Sequence, residues 1–375
     1  MKVLVTGSRG FIGKNAILKL HELAGVELVP FSRQSDALAL PELLRGVDWV
    51  WHLAGVNRPQ QTEAFTADNA DLTASLASAL AAVAQTEGKK TPVIYTSSSQ
   101  ADLPNAYGQS KRQAEEHLLR LHKQHGVPVH IFRLPNVFGK WARPNYNSVV
   151  ATFCHNIARG MPIVINDPDA ELDLVYIDDV IAAFVGLMEG SSEVVTVAGF
   201  CKVPTQYAST VGEMARQIQA FKDSRESLIT ERVGRGLTRA LYATYLSYLP
   251  TEQFAYEVPR YEDPRGVFVE MLKTPESGQV SFFVAHPGVT RGGHYHHSKT
   301  EKFLVIAGQA RFKFRHMETG QEYEICTSGD RSEIVETVPG WTHDITNVGS
   351  VDLVVMLWAN EIFDRKQPDT FACPL

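Results

Sequence analysis

Residues 2–13 leave this chain few ways to begin a fold. Lys2–Thr6 reads KVLVT, a short β-branched run, and Gly7, Ser8, Arg9, Gly10, Phe11, Ile12 and Gly13 follow it directly. The pattern predicts a strand, a tight glycine turn and a helix over 11–23 whose Ile12, Ala16, Leu20 and Leu23 share one face. Glycines in such a turn let the backbone approach a pyrophosphate, and the helix N-terminus adds unpaired N–H groups and partial positive charge. A glycine triplet alone is weak evidence. Set between a strand and a helix, it makes dinucleotide binding the reading, against a turn that merely packs helix on strand. Gly7, Arg9, Gly10, Phe11, Ile12 and Gly13 are the expected cofactor contacts.

The alternation continues through the first half. Strand-like runs stand at 26–31, 48–53, 92–96 and 129–133, with helical stretches at 62–84 and 107–125 between them. This implies right-handed crossovers and a parallel sheet covered on both faces, an α/β doubly wound Rossmann-type arrangement. After Pro250 the texture changes: 267–272, 280–285, 303–306, 310–316, 322–326, 334–337 and 351–358 are strand-like and separated by Gly, Pro, Asp and Ser. Many short strands at regular spacing predict an all-β sandwich or small barrel. At ~100–200 residues per domain, 375 residues suit two, expected as 1–250 and 251–375. Just before the break, Tyr242, Tyr245, Leu246 and Leu249 keep an i, i+3, i+4, i+7 pattern. That helix is expected to pack on its own domain or to line a domain or subunit interface.

Charge narrows the partners. The net charge is −6, with 24 basic and 24 acidic residues before Pro250 and 12 against 18 after it. A weakly acidic chain without a basic stripe argues against nucleic acid. No apolar run reaches the ~18 residues of a membrane span. The start carries no positive leader followed by an apolar core and a small-residue cleavage site, so the expected location is the cytoplasm. Cys154, Cys201, Cys326 and Cys373 are far apart, form no C-x-x-C pair, and are expected as reduced thiols. A homodimer is the default expectation.

Two further features of the first half carry chemistry. The second strand-like run ends at Phe31, Ser32 and Arg33, where an NAD site usually has Asp or Glu for the ribose 2′-hydroxyl. An Arg instead suits the 2′-phosphate of NADPH, with a solvated surface Arg as the bland alternative. Tyr107 and Lys111 are four apart and share a helix face. A nearby ammonium lowers a tyrosine pKa, which would make Tyr107 a proton donor to a carbonyl oxygen receiving hydride. Ser97, Ser98 and Ser99 end a predicted strand shortly before, so a hydroxyl there could bond the substrate oxygen.

These residues resemble the extended short-chain dehydrogenase/reductase superfamily, in its branch acting on nucleotide sugars. The likeness covers roughly residues 1–245: the T-G-x-x-G-x-x-G turn, His52, Leu53, Ala54 and Gly55 at a strand end, the serine run, Y-x-x-x-K, and Arg133 with Asn136 in R-L-P-N-V-F-G. The resemblance implies Tyr107, Lys111 and Ser98 as catalytic residues, with Ser97 or Ser99 as alternatives to Ser98. It implies Leu53, Ala54, Gly55 and Lys111 as further cofactor contacts and Asn136 near the sugar diphosphate. It also makes Asp178 and Asp179 largely structural. One departure is Glu171, Leu172 and Asp173, where family members often place an Arg.

The C-terminal third holds a different set. His294 and His296 are two apart, so on a strand they face the same side; Glu301 follows after a turn, and His343 comes from a later strand. Three imidazoles and one carboxylate suit Zn²⁺ or another first-row divalent metal. His297 is expected on the opposite face. The spacing resembles the cupin superfamily over roughly 252–375, with Pro339 one place later than the usual P-x-G.

A nucleotide-sugar reductase joined to a cupin resembles the bifunctional capsular or O-antigen polysaccharide enzymes of the CapF type, over essentially the whole chain. That resemblance implies a UDP-linked 4-keto-6-deoxy-HexNAc substrate. It implies metal-dependent C3 epimerisation in the cupin and NADPH-dependent C4 reduction in the first domain. The product would be UDP-2-acetamido-2,6-dideoxy-β-L-talose, on the way to N-acetyl-L-fucosamine. Tyr295, His297, Lys302 and Asp330 are the candidates for epimerisation acid and base. Two other readings compete: a reductase with a structural cupin, and a sugar- or redox-sensing binding protein on a dead dehydrogenase fold. Intact Tyr107 and Lys111 weigh against the last.

Overall fold

The first strand, β1 (Lys2–Thr6), buries four of its five residues and runs into the turn before α1 (Phe11–His21). In this computed structural model residues 1–58, 61, 65–191, 194–197, 199–366 and 368–375 are described. The chain divides into two compact units, Met1–Ile218 with Arg239–Leu249, and Gln219–Thr238 with Pro250–Leu375. A single cut at 250 therefore misses the segment Gln219–Thr238. Its tie to the second unit is local: Lys273 N–H donates to Leu228 O at 2.8 Å, and Thr230 N–H donates to Lys273 O at 2.8 Å.

In the first unit, β2 (Glu27–Phe31), β3 (Trp49–His52), β4 (Val93–Ser98) and β5 (Val129–Leu134) pair parallel with β1 and with one another. With β8 (Val195–Val197) and β9 (Phe200–Lys202) the sheet order is β2-β1-β3-β4-β5-β9-β8. The order reverses between β1 and β3, and a ligand crevice lies beyond the carboxyl ends of strands at such a switch. Helix α2 (Leu72–Glu87) and helix α3 (Ala106–His125) cover one face, with Leu76, Leu80, Leu118 and Leu121 on Leu4, Val50, Val93 and Ile131. A π-helical turn, Thr66–Asp71, leads into α2, and the expected residues 62–64 lie outside the described residues.

The sequence reading missed β6 (Asn136–Phe138), β7 (Glu171–Tyr176) and β10 (Tyr207–Thr210), which form a small separate sheet. β6 and β10, at three and four residues, are too short to show a period, and the six residues of β7 alternate exposed Glu171 and Asp173 with Leu172 and Leu174 only over their first half. The helix α4 (Val149–Ala158) follows, capped by Ser148, whose Oγ accepts from Ala151 N–H at 3.2 Å. After it comes α5 (Ile177–Glu189). The last helix, Gly236–Ser247, buries Ala240, Leu241, Thr244 and Tyr245, while Leu246 is exposed. The apolar stripe is thus offset from the expected one and runs through Leu241 and Tyr245 to the buried Tyr248.

The second unit is two antiparallel sheets. One holds β11 (Arg260–Asp263), β12 (Gly266–Thr274), β13 (Gly278–Ala285), β15 (Glu301–Ala307), β18 (Ile334–Glu336) and β20 (Leu353–Ala359). The other holds β14 (Thr290–Tyr295), β16 (Gln309–His316), β17 (Glu322–Ser328), β19 (Trp341–Asn347) and β21 (Phe371–Ala372). Phe283, Phe303 and Leu353 from the first meet Phe312, Phe314 and Ile345 from the second in one core. Five of the seven expected strands fall inside these elements, while 334–337 and 351–358 overlap β18 and β20 and overrun them by one and two residues; the four cysteines are free. Among the described residues no helix is long and apolar enough to cross a membrane.

Candidate functional site

The glycine turn is built by close approach. Gly7 has φ +66°, and a Cβ there would meet the Ala54 backbone at 2.7 Å. A Cβ on Gly13 would stand 2.1 Å from Gly7 O, so the turn, the helix start and the end of β3 close on one another only as glycines. Beneath them runs a buried chain of hydrogen bonds. Ala54 N–H donates to Thr6 Oγ1 at 3.2 Å, Thr6 Oγ1 meets His52 Nδ1 at 2.7 Å, and His52 Nε2 meets Thr73 Oγ1 at 2.8 Å. Thr73 gives its own proton to Asn69 O, 2.6 Å away. It must therefore accept from His52 Nε2–H, which leaves Nδ1 to accept from Thr6. Burial, and then the Lys111 charge, brings His52 down to about 3, so it stays neutral in this role.

An open cleft of about 450 Å³ lies above this floor. Gly10, Phe11, Ile12, Leu53 and Gly55 line it together with Ser98, Tyr107, Lys111 and Asn136. Arg33 also lines it and is paired with Asp68 at 2.8 Å, while Arg9 donates to Gln34 Oε1 at 2.6 Å beside it. Asn136 opens β6, is exposed, and donates to Asp173 O at 3.2 Å. Asp178 pairs with Lys140 at 2.6 Å and Asp179 accepts from Tyr207 at 3.3 Å, ties that hold structure together.

Tyr107 and Lys111 sit one turn apart on α3, whose start is set by Asn105 capping Gly108 N–H at 2.7 Å. The expected lowering of the Tyr107 pKa by Lys111 is not found. Burial raises Tyr107 above the ordinary range, and its hydrogen bond with Ser98 opposes the shift. The Lys111 ammonium instead donates to Thr96 O at 2.9 Å and lies 3.4 Å from Tyr95 Oη. Burial lowers Lys111 to about 8, and Glu115 works against that. Among the serines, Ser97 Oγ donates to Glu115 Oε1 at 2.5 Å, whereas Ser98 Oγ accepts from Gln100 N–H at 3.2 Å.

Asn69 is a residue the sequence reading missed. It is 1% exposed, holds both Val56 N–H and Val56 O, and donates to Ser110 Oγ at 2.9 Å. Ser110 in turn donates to Tyr107 O at 2.8 Å, so Asn69 fixes the start of α3. The available signal was an amide in an Ala- and Leu-rich helical run.

In the second unit His294, His296, Glu301 and His343 converge, their ligand atoms within 4.8 Å of one another. Among the described residues both ring nitrogens of the buried His343 lack a hydrogen-bond partner, and Nε2 lies 3.5 Å from Glu301 Oε2, an arrangement that suits a shared cation. His296 Nδ1 donates to Asp369 O at 2.5 Å, which leaves Nε2 for the cluster. Burial first, and then His343, brings His294 down to about 4, so it is neutral and able to ligate. Burial alone would raise Glu301, but the His296 and His343 imidazoles and the Lys299 ammonium hold it well below the usual carboxylate range. The donor set of three nitrogens and a carboxylate fits a first-row divalent metal.

The four acid–base candidates fall outside this cluster. Lys302 is exposed and paired with Glu336, and Asp330 is exposed. Tyr295 stacks on Phe371 at 5.4 Å. His297 lies past the end of β14, so strand alternation does not decide its side; its ring stands edge-on to Tyr295 at 5.5 Å. Lys299, unforeseen, is 6% exposed, 3.7 Å from Glu301 Oε1 and 3.0 Å from Thr370 Oγ1.

The dinucleotide cradle, the Tyr107–Lys111 group and the parallel sheet define the class, and the chain belongs to the NAD dependent epimerase/dehydratase family, whose model matches residues 3–198. Membership implies a nicotinamide cofactor. Residues 261–371 match the polysaccharide biosynthesis C-terminal domain. The chain is 62% identical over 373 residues to a Pseudomonas aeruginosa protein named UDP-2-acetamido-2,6-beta-L-arabino-hexul-4-ose reductase, covering 100% of this chain and 98% of that one. It is similar in structure to the capsular polysaccharide assembling protein CapF of Staphylococcus aureus, with a TM-score of 0.90, 39% identity and both chains fully covered. A UDP-glucuronic acid 4-epimerase of Bacillus cereus, 19% identical at a TM-score of 0.55 over 66% of this chain and 96% of that one, shares the fold of the first part. The expected likeness to CapF-type enzymes thus extends end to end.

Asp369 was also missed, and it holds the loop beside the His294, His296, Glu301 and His343 cluster. Its carboxylate accepts from His297, Ser298 and Lys299 N–H at 2.9, 2.7 and 2.8 Å while its carbonyl orients His296. Asp369→Ala should weaken binding of Zn²⁺ or Co²⁺ to metal-free protein by about 10–100-fold, the usual effect of losing such support. Titration followed by Co²⁺ absorption tests this, and unchanged affinity would show that the loop holds itself.

Proposed function

We propose that the second unit epimerises C3 of a UDP-linked 4-keto-6-deoxy-HexNAc and that the first then reduces its C4 ketone, giving UDP-2-acetamido-2,6-dideoxy-β-L-talose for capsule or O-antigen synthesis. The observation carrying this reading is the presence in one cleft of the glycine turn, Ser98, Tyr107, Lys111 and Asn136. The full-length likeness to a UDP-sugar 4-ulose reductase supports it. NADPH, when bound, supplies the hydride. Ser98 and Tyr107 hold the ketone oxygen between two hydroxyls, and Tyr107 gives it a proton. Lys111 stabilises the tyrosinate left behind. A divalent metal held by His294, His296, Glu301 and His343 would supply the Lewis acidity that makes the C3 proton removable.

Tyr107→Phe removes one hydroxyl. It should keep NADPH binding, lower reduction by about 10²–10⁴-fold, and still exchange the C3 proton with solvent deuterium. His343→Ala should lose exchange and keep NADPH binding. A folded, metal-free His343→Ala protein that exchanges at the wild-type rate would leave a reductase with a structural second unit.

NADPH preference rests on Arg33, whose pair with Asp68 is largely exposed and so readily exchanged for a phosphate. Arg33→Ala should raise the KM for NADPH by about 10-fold or more, as for a lost charged hydrogen bond, and leave that for NADH unchanged. Equal effects on both cofactors would remove the assignment.

The Lys111 value sets a pH dependence. The ammonium is the useful form and is lost as pH rises through about 8, so kcat/KM for reduction should fall above that point. Lys111→Arg, which stays charged, should move the fall upward. A wild-type profile flat through about pH 9 would contradict the role.

A further inference from the structure

The cleft of the first unit is lined, among the described residues, by three cations and no carboxylate: Arg33, Lys111 and Arg143. Two are engaged. Arg33 is paired with Asp68, and Lys111 is buried against Thr96 O beside Tyr107. Arg143 has neither an ion pair nor a hydrogen bond among the described residues. Its guanidinium lies 5.0 Å from the centroid of the Tyr146 ring, and Tyr146 Oη donates to Arg58 O at 2.8 Å. An aromatic face restricts a guanidinium without neutralising it, leaving the fork free to meet an anion.

The backbone around Arg143 is held in an unusual course. Trp141 has φ +69° and Asn145 φ +53°, a left-handed conformation that costs a bulky residue energy and persists only when the surroundings impose it. Ala142 O accepts from the buried Tyr248 Oη at 2.5 Å, and Asn145 N–H donates to Thr152 Oγ1 at 2.9 Å. Both sides of Arg143 are thus tied down. Asn147, Ser148 and Val149, at the N-terminus of α4, line the same cleft and add the partial positive charge of a ten-residue helix.

We propose that Arg143, backed by Tyr146 and joined by the N-terminus of α4, binds the diphosphate of the nucleotide sugar and fixes the substrate for reduction. The inference rests on the nucleotide-sugar reading above. Two diphosphates must enter one cleft. The amides at Gly10–Ile12 suit that of the cofactor, so the substrate's needs a second cationic site, and Arg143 is the unengaged cation there. A planar fork against an aromatic ring can bond two phosphate oxygens in one fixed orientation, which a flexible ammonium does not impose.

The test uses the full-length protein with UDP and NADPH as separate probes. For wild type, UDP binding measured by calorimetry should weaken with added salt. Arg143→Ala should raise the UDP Kd by about 10–100-fold, the loss of a charged hydrogen-bonded pair, and flatten the salt dependence. Its NADPH Kd, read from cofactor fluorescence, should stay at the wild-type value. Arg143→Lys should fall between wild type and Ala for UDP. An Arg143→Ala protein that binds UDP as wild type does, or loses NADPH as much as UDP, overturns the inference while leaving the nucleotide-sugar reading standing. A wild-type protein that fails to bind UDP overturns both.

Discussion

The first unit is organised around one buried charge. The Lys111 side chain is 5% exposed, and an ammonium in that position needs partners. It finds Thr96 O and Tyr95 Oη on β4, and one turn along its own helix the Glu115 carboxylate supports its charge. Glu115 is itself buried and is held by Arg133 of β5 at 2.7 and 3.0 Å. Arg133 also reaches Asp102 at 2.6 Å and lies 3.8 Å over the Phe200 ring. The ammonium thus joins β4, α3, β5 and β9 into one network. Removing one member of such a network leaves another charge uncompensated, so these positions are coupled.

That coupling explains the state of Tyr107. The spacing of Tyr107 and Lys111 allows contact, yet Nζ is drawn inward to Thr96 and the phenol stays protonated under its own burial. A protonated phenol is the form that can donate to a ketone, so the structure is poised on the donor side. On the proposed reading, the charge of Lys111 becomes useful only as negative charge develops on the phenol oxygen, which would be differential stabilisation of a transition state.

Legibility in the sequence followed the range of the interaction. The glycine turn was readable because its spacing is local: Gly7, Gly10 and Gly13 recur every three residues and Gly13 closes on Gly7, although Gly7 itself packs on the distant Ala54. The convergence of His294, His296, Glu301 and His343 was readable because three of the four lie close together in sequence and the residue types restrict what such a cluster can bind. Asp369 was not, since its hydrogen bond to His296 crosses 73 residues and no period links a chain end to a loop. Asn69 and Lys299 fail for a related reason, because a lone amide or ammonium reads as surface until burial is known. The helix before residue 250 was found with its face misassigned. Tyr242 and Leu246 satisfy the same spacing as Leu241 and Tyr245, and aromatic bulk does not say which stripe is buried.

On the proposed reading the two chemistries impose an order. The C3 proton is acidic only while the C4 carbonyl stands beside it, so reduction ends any epimerisation. Both epimers carry that carbonyl, and a cleft that accepted either would reduce the wrong one before the second site could act. Discrimination must therefore lie in the first unit, where the sugar is presented to Ser98 and Tyr107. An inverted hydroxyl moves one hydrogen-bonding group, and a site that leaves its own buried polar groups unpaired with the wrong epimer rejects it far more strongly than an apolar pocket could. Of the polar groups lining the cleft, Ser98 is already buried, while Gln100, Asn136 and Asn147 are exposed and could act in this way only once the bound sugar covers them. A diphosphate anchored at a fixed point turns that small difference at C3 into a difference in the alignment of C4, because the ring cannot slide to compensate.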